Sequence, residues 1–222
     1  MEKPFIIQNG VRFYNFRKSF IYLNAYGKYK LGENFSLREE DAFIIYKLMI
    51  YAIRDEENCN KHGIDLNKGI LLSGPIGCGK TTLMTLLKHF TYQETNYIMR
   101  STREIAAEFN LEGYSTVLKY GKSNKIYCFD DLGVENNTKH FGNECNTIAE
   151  ILLHRYDLQI TQNVLTHATT NLNADELEKL YGNRVRSRLR SMFNLISFAE
   201  SAKDKRKWNF RPPEAETKLT WG

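Results

Sequence analysis

The chain has 222 residues, of which 42% are hydrophobic and 26% charged, and its formal net charge is +5. That length allows one substantial domain with a small appendage, and the composition excludes a generally disordered chain. The longest apolar runs, such as residues 42–45 and 70–72, are too short to cross a bilayer, and the first residues do not form a signal peptide. We therefore expect a cytoplasmic protein.

The cysteine pattern indicates reduced thiols. Cys59, Cys78, Cys128 and Cys145 form no C-x-x-C pair, and no histidine stands beside them at zinc-ligand spacing. Four free thiols in a reducing compartment are the expected state.

Residues 1–60 are predicted to form a short N-terminal extension, rich in aromatic and basic side chains, that ends in a helix. Such a mixture is typical either of an arm packed onto a domain, which we favour, or of a surface that stacks single-stranded nucleic acid. A helix is predicted over residues 37–55, with Ser36 as N-cap and Glu39 closing a capping box. Residues 58–67 are polar and contain Gly63, which predicts a loop.

From Gly69 onward, short apolar runs alternate with helical patterns. This alternation predicts an α/β fold, a three-layer α/β/α sandwich around a mostly parallel five-stranded sheet. Ligands of such sheets bind at the carboxyl ends of the strands. The predicted strands are residues 70–73, 96–99, 126–129, 164–169 and 195–198, and the predicted helices are residues 81–92, 102–110, 146–159, 174–180 and 184–192.

A phosphate-binding loop is predicted between the first of these strands and the helix that follows it. The chain there fits the pattern G-x-x-x-x-G-K-[ST] in full, with Gly74, Pro75, Ile76, Gly77, Cys78, Gly79, Lys80 and Thr81. Glycines let the backbone turn its N–H groups toward phosphate oxygens, and the helix N-terminus favours anionic charge. Lys80 can reach the β- and γ-phosphates, and Thr81 can ligate Mg²⁺.

The predicted nucleotide site extends to Thr82, the residue after the motif. We predict that ATP and Mg²⁺ bind here, in a P-loop ATPase domain over residues 61–207 that is followed by a tail over residues 208–222. A glycine turn that binds no nucleotide is the alternative, and the strand before the loop and the apolar helix after it argue against that alternative.

Two acids follow the strand predicted at residues 126–129. Asp130 is predicted to hold Mg²⁺, and Asp131 to orient or deprotonate the attacking water. A solvated acidic turn is the alternative. Glu135 is either a further acid of the site or a loop carboxylate that faces water.

The strand predicted at residues 164–169 leads into Asn171, whose amide both donates and accepts hydrogen bonds. It is predicted to touch the γ-phosphate or the attacking water. Capping of the next helix is the alternative role, although Asn173 is better placed for that.

Four arginines, Arg184, Arg186, Arg188 and Arg190, fall within seven residues. On a helix, Arg184 and Arg188 share one face, and Arg186 and Arg190 share another. One face could reach a neighbouring subunit's γ-phosphate and the other a nucleic-acid backbone, while a plain solvated basic helix is the alternative.

These motifs together resemble the AAA+ ATPases of the DnaC/DnaI helicase-loader group, which includes the IstB transposition helpers. The resemblance covers about residues 65–207 and rests on residues 74–81, 130–135, 170–171 and 182–189. It implies that Arg188 is an arginine finger acting across a subunit boundary and that Arg206 lies near a second sensor arginine. It also implies a fold without a full lid domain, and ATP-dependent homo-oligomers.

We therefore predict an ATP-hydrolysing protein that acts on DNA, with single-stranded DNA and a replicative helicase or transposase as partners. Two alternatives from other classes stay open. One is a nucleotide-dependent binding switch with little turnover, and the other is a small-molecule kinase, which would need an acceptor pocket and a mobile basic lid.

Overall fold

The computed structural model describes residues 3–135, 138–140 and 143–205. Their strands are β1 (Phe5–Gln8), β2 (Val11–Tyr14), β3 (Gly69–Ser73), β4 (Ile98–Ser101), β5 (Tyr127–Leu132), β6 (Thr138–His140), β7 (Asn143–Cys145), β8 (Thr166–Thr170) and β9 (Phe193–Ser197). Their α-helices are α1 (Phe16–Leu31), α2 (Ala42–Ala52), α3 (Glu56–Lys61), α4 (Lys80–Leu87), α5 (Thr102–Glu112), α6 (Tyr114–Gly121), α7 (Thr147–Gln162) and α8 (Ala174–Met192).

A five-stranded sheet with the order β4-β5-β8-β3-β9 forms the centre of the fold, and every neighbouring pair in it is parallel. This confirms the predicted three-layer α/β/α architecture. The carboxyl ends of all five strands therefore meet at one edge. The predicted loop and Asn171 follow β3 and β8 there, whereas Asp130 and Asp131 lie inside β5 near its end, because β5 is longer than the predicted strand.

Strand β3 divides its side chains between two cores. Ile70 and Leu72 of β3 pack with helices α2 and α4, whereas Leu71 packs with α5, α7 and α8 on the opposite face. Such alternation follows from the two-residue period of a strand covered on both faces.

The N-terminal elements pack onto this domain. The hairpin β1–β2 precedes α1, and Leu23 of α1 lies in the same core as α2 and β3. Gly27 of α1 lets the chain that follows fold back closely, since a Cβ there would lie 2.0 Å from the Phe35 ring. The arm that we favoured from the sequence is thus packed along one side.

The prediction of a helix over residues 37–55 is wrong at both ends, because α2 spans only Ala42–Ala52. Ser36 caps nothing, and its hydroxyl donates to the carbonyl of Leu37. The Leu37 N–H donates to Asn24 of α1, and buried Asp41 pairs with Lys205, so tertiary contacts hold residues 37–41 out of the helix.

Other boundaries also differ. The predicted loop over residues 58–67 begins inside α3, where Asp55 accepts from the N–H of Asn58 as N-cap. Helix α4 ends at Leu87 rather than at residue 92. The two helices predicted over residues 174–180 and 184–192 are confirmed as the two halves of α8, which are separated by the non-helical backbone of Gly182. No helix in the described ranges is long and apolar enough to span a membrane.

Candidate nucleotide-binding site

The loop between β3 and α4 has the backbone that a phosphate-binding loop requires. Gly77 and Gly79 adopt φ angles of 82° and 102°, in the left-handed region that glycine favours. A Cβ on Gly77 would also lie 2.1 Å from an oxygen of Asp204. Helix α4 begins at Lys80, directly after Gly79, so its N-terminus faces the loop.

Lys80 is held inside the loop. Its Nζ donates to the carbonyl oxygens of Gly74 at 2.8 Å and of Pro75 at 3.0 Å, and only 6% of the residue is exposed. Cys78 is fully buried behind the loop, and its burial raises the pKa of the thiol. The ammonium group is therefore positioned by backbone oxygens, which leaves its charge without a carboxylate partner among the described residues.

Asp130 joins the loop to the sheet. Its Oδ1 accepts from the hydroxyl of Thr81 at 2.9 Å and from that of Thr169 at 2.7 Å. Burial raises the pKa of Asp130, while these two hydrogen bonds act in the opposite direction. A hydroxyl and a carboxylate at this distance are the oxygen ligands that Mg²⁺ takes beside phosphate groups and water, so these residues fit the predicted metal.

A β-bulge turns Asp131 toward the same site. Strand β5 has one more residue than β8 between Phe129 and Leu132, and Asp131 has a φ of 59°. In a regular strand, consecutive side chains point to opposite faces, which would separate Asp131 from Asp130. Asp131 is fixed in its conformation by its N–H, which donates to the hydroxyl of Thr169, and by its carbonyl, which accepts from Thr102.

A pocket of about 880 Å³ opens beside the loop. The predicted residues that line it are Ile76, Gly77, Gly79, Lys80, Thr81, Thr82, Asp131 and Asn171. Among these, Thr81 also carries the hydrogen bond to Asp130. The structure therefore brings the loop, the acidic pair and Asn171 together.

The opposite side of the pocket consists of residues that the sequence did not indicate. Residues 34–38 and Leu31 form one wall, and Arg103 and Lys205 contribute two cations. Arg103 follows β4 at the carboxyl edge of the sheet, which is a usable sequence signal. The wall formed by residues 34–38 depends on tertiary contacts, and no local sequence pattern predicts it.

The sequence model of the ATPase family associated with various cellular activities (AAA) matches residues 70–194, more than half of the chain. The chain belongs to the AAA family. Membership in a family of ATPases implies nucleotide binding.

Individual relatives share only part of their length or sequence with this AAA protein. It is 28% identical over 133 residues to the ATP-dependent zinc metalloprotease FtsH 2 of Thermoanaerobacter sp. (strain X514), and it spans about a quarter, 26%, of that protein's length. Three solved structures are similar in fold. A structure of DnaI has a TM-score of 0.48 and 22% identity, and the match covers 68% of this chain and 84% of that one. A structure of the DnaC helicase loader has a TM-score of 0.45 and 20% identity, with 68% of this chain and 91% of that one covered. AMPPCP-bound DnaA from Aquifex aeolicus has a TM-score of 0.49 and 20% identity, with 75% of this chain and 49% of that one covered.

Glu135 has a structural role in the AAA domain. One of its oxygens accepts from the hydroxyl of Tyr181, and the other accepts from the N–H of Gly133 at 3.0 Å. It therefore ties the turn after β5 to helix α8. Neither interpretation from the sequence, an acid of the site or a water-facing carboxylate, describes this arrangement.

The arginine helix lies apart from the pocket lining. The guanidinium of Arg188 sits 4.3 Å from the ring centre of Tyr156, while Arg186 pairs with Glu178 at 3.0 Å. Arg184 and Arg190 are exposed. The predicted nucleotide contact of Arg206 lies outside the described residues, and the nearby cation that does line the pocket is Lys205.

Proposed function

We propose that this AAA protein binds Mg·ATP in the P-loop pocket and hydrolyses it. The observation that carries the proposal is that Lys80, the Thr81–Asp130 pair and Asp131 converge at one edge of the sheet. These are the groups that phosphoryl transfer to water needs, a cation for the phosphates, oxygen ligands for Mg²⁺ and a carboxylate for the water.

Each residue has a distinct part in this proposal. Backbone N–H groups of the loop before α4 and the ammonium of Lys80 hold the phosphates, and Thr82 lies beside them in the pocket. Thr81 and Asp130 hold Mg²⁺, which when bound neutralises charge on the phosphate oxygens. Asp131 orients or deprotonates the attacking water, and Asn171 contacts the γ-phosphate or that water.

We further propose that the protein assembles as an ATP-dependent homo-oligomer on DNA or on a DNA-bound partner, as a helicase loader or transposition helper. Its sequence resemblance to the DnaC/DnaI and IstB group over residues 130–135 and 182–189 supports this role. A replicative helicase or a transposase is the corresponding partner. The four cysteines form no disulfide, which supports a cytoplasmic location.

The decisive test is phosphate release from ATP by the purified protein, with and without single-stranded DNA and with no phosphoryl acceptor added. We expect Lys80→Ala to abolish turnover or tight ATP binding, because one lost charge contact to a transition state costs about 3–4 kcal/mol. Lys122→Ala, an exposed lysine outside the pocket, is the matched control.

Near-normal release by Lys80→Ala would overturn the site assignment. Tight ATP binding without release in either condition would favour the binding switch. Release that depends on an added small-molecule acceptor would indicate a kinase.

A further inference from the structure

The positive charge of the protein is concentrated in its N-terminal elements. Residues 3–31 contain no acidic residue, whereas the whole chain has 31 basic and 26 acidic residues, so the other residues hold 25 basic and 26 acidic ones. The net excess therefore comes from this segment, whose six basic residues are Lys3, Arg12, Arg17, Lys18, Lys28 and Lys30. All but Lys3 lie in the hairpin β1–β2 or in helix α1.

Several of these cations have no partner of opposite charge. Arg12, Arg17, Lys28 and Lys30 form no ion pair with any residue that the structure describes. Arg17 and Lys28 share one face of α1 with Ile21, because residues four and seven positions apart lie on the same side of a helix. That face is opposite the buried one, so the helix turns its basic side to solvent.

Two aromatic rings of the same segment are also exposed. Tyr14 packs against Phe90 at 6.2 Å, and its neighbour Phe13 therefore points away from the domain, with 52% of its surface exposed. Tyr29 is 75% exposed, and the ammonium of Lys30 lies 5.6 Å from its ring centre. Packing against the core does not explain why these two positions are aromatic, since other aromatic residues of the same segment make the contacts with the core.

We propose that the hairpin β1–β2 and helix α1 form a binding surface for single-stranded nucleic acid, which we call the N-terminal surface. Bases stack on Phe13 and Tyr29, and the unpaired cations neutralise phosphates. Exposed rings set among cations are the combination that such sites use, and the charge of this segment is complementary to a polyanion. The choice of DNA as the probe rests on the proposed function, but the surface itself does not.

An anionic membrane is the competing ligand for a basic segment. Interfacial helices insert an apolar face beside a polar one. In α1 the apolar side, centred on Leu23, is already buried in the core, and the side left outward carries Arg17 and Lys28 together with an exposed apolar residue, Ile21. Helix α1 therefore has no continuous apolar face to insert. The hairpin does expose Ile6, Ile7 and Val11, so the choice of nucleic acid rests on the cations of α1 and the two exposed rings, and the vesicle competition below tests it.

The test is fluorescence anisotropy of labelled oligo(dT) with the full chain, in a salt series. We expect Phe13→Ala and Tyr29→Ala each to weaken binding by about tenfold, as loss of a stacking platform does. Arg17→Gln and Lys28→Gln should each lower the slope of log K against log salt by about 0.7. Tyr92→Ala and Lys122→Gln, both exposed and outside this surface, are the matched controls.

Wild-type affinity and slope in all four variants would overturn the proposal. A second result would also overturn it, in favour of a membrane ligand: vesicles of anionic lipid displace oligo(dT) from the protein, and the Phe13 and Tyr29 variants bind those vesicles less well than the wild type does. Phosphate release without DNA, measured on the same samples, should stay at the wild-type rate. If the wild type hydrolyses no ATP but the four substitutions still weaken its binding of oligo(dT), the proposed function is wrong and the proposal for the N-terminal surface stands.

Discussion

Asp130 and Asp131 are consecutive acids that the bulge in β5 places in different surroundings. Asp130 is held by the hydroxyls of Thr81 and Thr169, whereas the side chain of Asp131 lines the open pocket. The sequence predicted both acids, because a strand that ends in carboxylates beside a P-loop has a clear chemical use. It could not predict the bulge, which depends on the pairing of β5 with β8.

We expect the two acids to differ on substitution. Asn keeps an oxygen that accepts from Thr81 and Thr169, so Asp130→Asn removes charge while keeping the hydrogen bonds, and should raise the Mg²⁺ concentration needed for half-maximal activity. Asp131→Asn should keep ATP and Mg²⁺ affinity and slow hydrolysis by about 10²–10⁴-fold. Asp157→Asn, an exposed acid, is the control. Identical Mg²⁺ titrations of the two variants would show that the division of roles is wrong.

At the scale of elements, the close contact between α1 and the loop that follows it links the N-terminal extension to the nucleotide pocket. Phe35 lines the pocket, and its ring sits where a Cβ on Gly27 would be. Residues 1–60 are predicted as a separate extension, yet their side chains share a core with β3 and α4. Hydrophobic periodicity identifies helices well, but contacts between distant segments leave no periodic signal.

Gly27→Ala should therefore weaken binding of a non-hydrolysable ATP analogue by about tenfold, because overpacking costs about 1–3 kcal/mol and here displaces a wall of the pocket. Phe35→Ala should also weaken binding. The double variant should be no worse than Phe35→Ala, since without the ring the new methyl group has space. Additive losses, measured by titration with thermal unfolding as the folding control, would mean that Gly27 acts through the helix and not through Phe35.

At the scale of the whole molecule, the phosphate-loop motif and the alternation of strand-like and helix-like segments predicted much of the architecture. The P-loop, the five parallel strands and the two helical layers follow from spacing rules that hold in any such sheet. The wall over residues 34–38 and the pocket cation Lys205 did not follow, because they depend on how the ends of the chain fold back over the loop. Lys205 shows this directly, with its backbone N–H donating to the carbonyl of Gly77 at 2.9 Å.

Arg188 raises the question of assembly, since it lies over Tyr156 and is absent from the pocket lining of its own subunit. An arginine finger supplied by a neighbour is worth about 10³–10⁵ in rate. We expect Arg188→Ala to bind ATP normally and to turn over poorly, and hydrolysis per subunit by the unmodified protein to rise with its concentration. Arg190→Ala, an exposed arginine on the same helix, should keep its turnover.

Mixing variants tests whether Arg188 acts in trans. The Arg188→Ala subunit keeps an intact P-loop, and a Lys80→Ala neighbour still supplies an intact arginine, so the mixture should recover part of the activity that neither variant has alone. Size-exclusion chromatography with light scattering would establish that the two variants assemble together. If they do and the mixture stays inactive, Arg188 is not a finger. Weaker DNA binding by Arg188→Ala would then assign it to a DNA-facing side of α8.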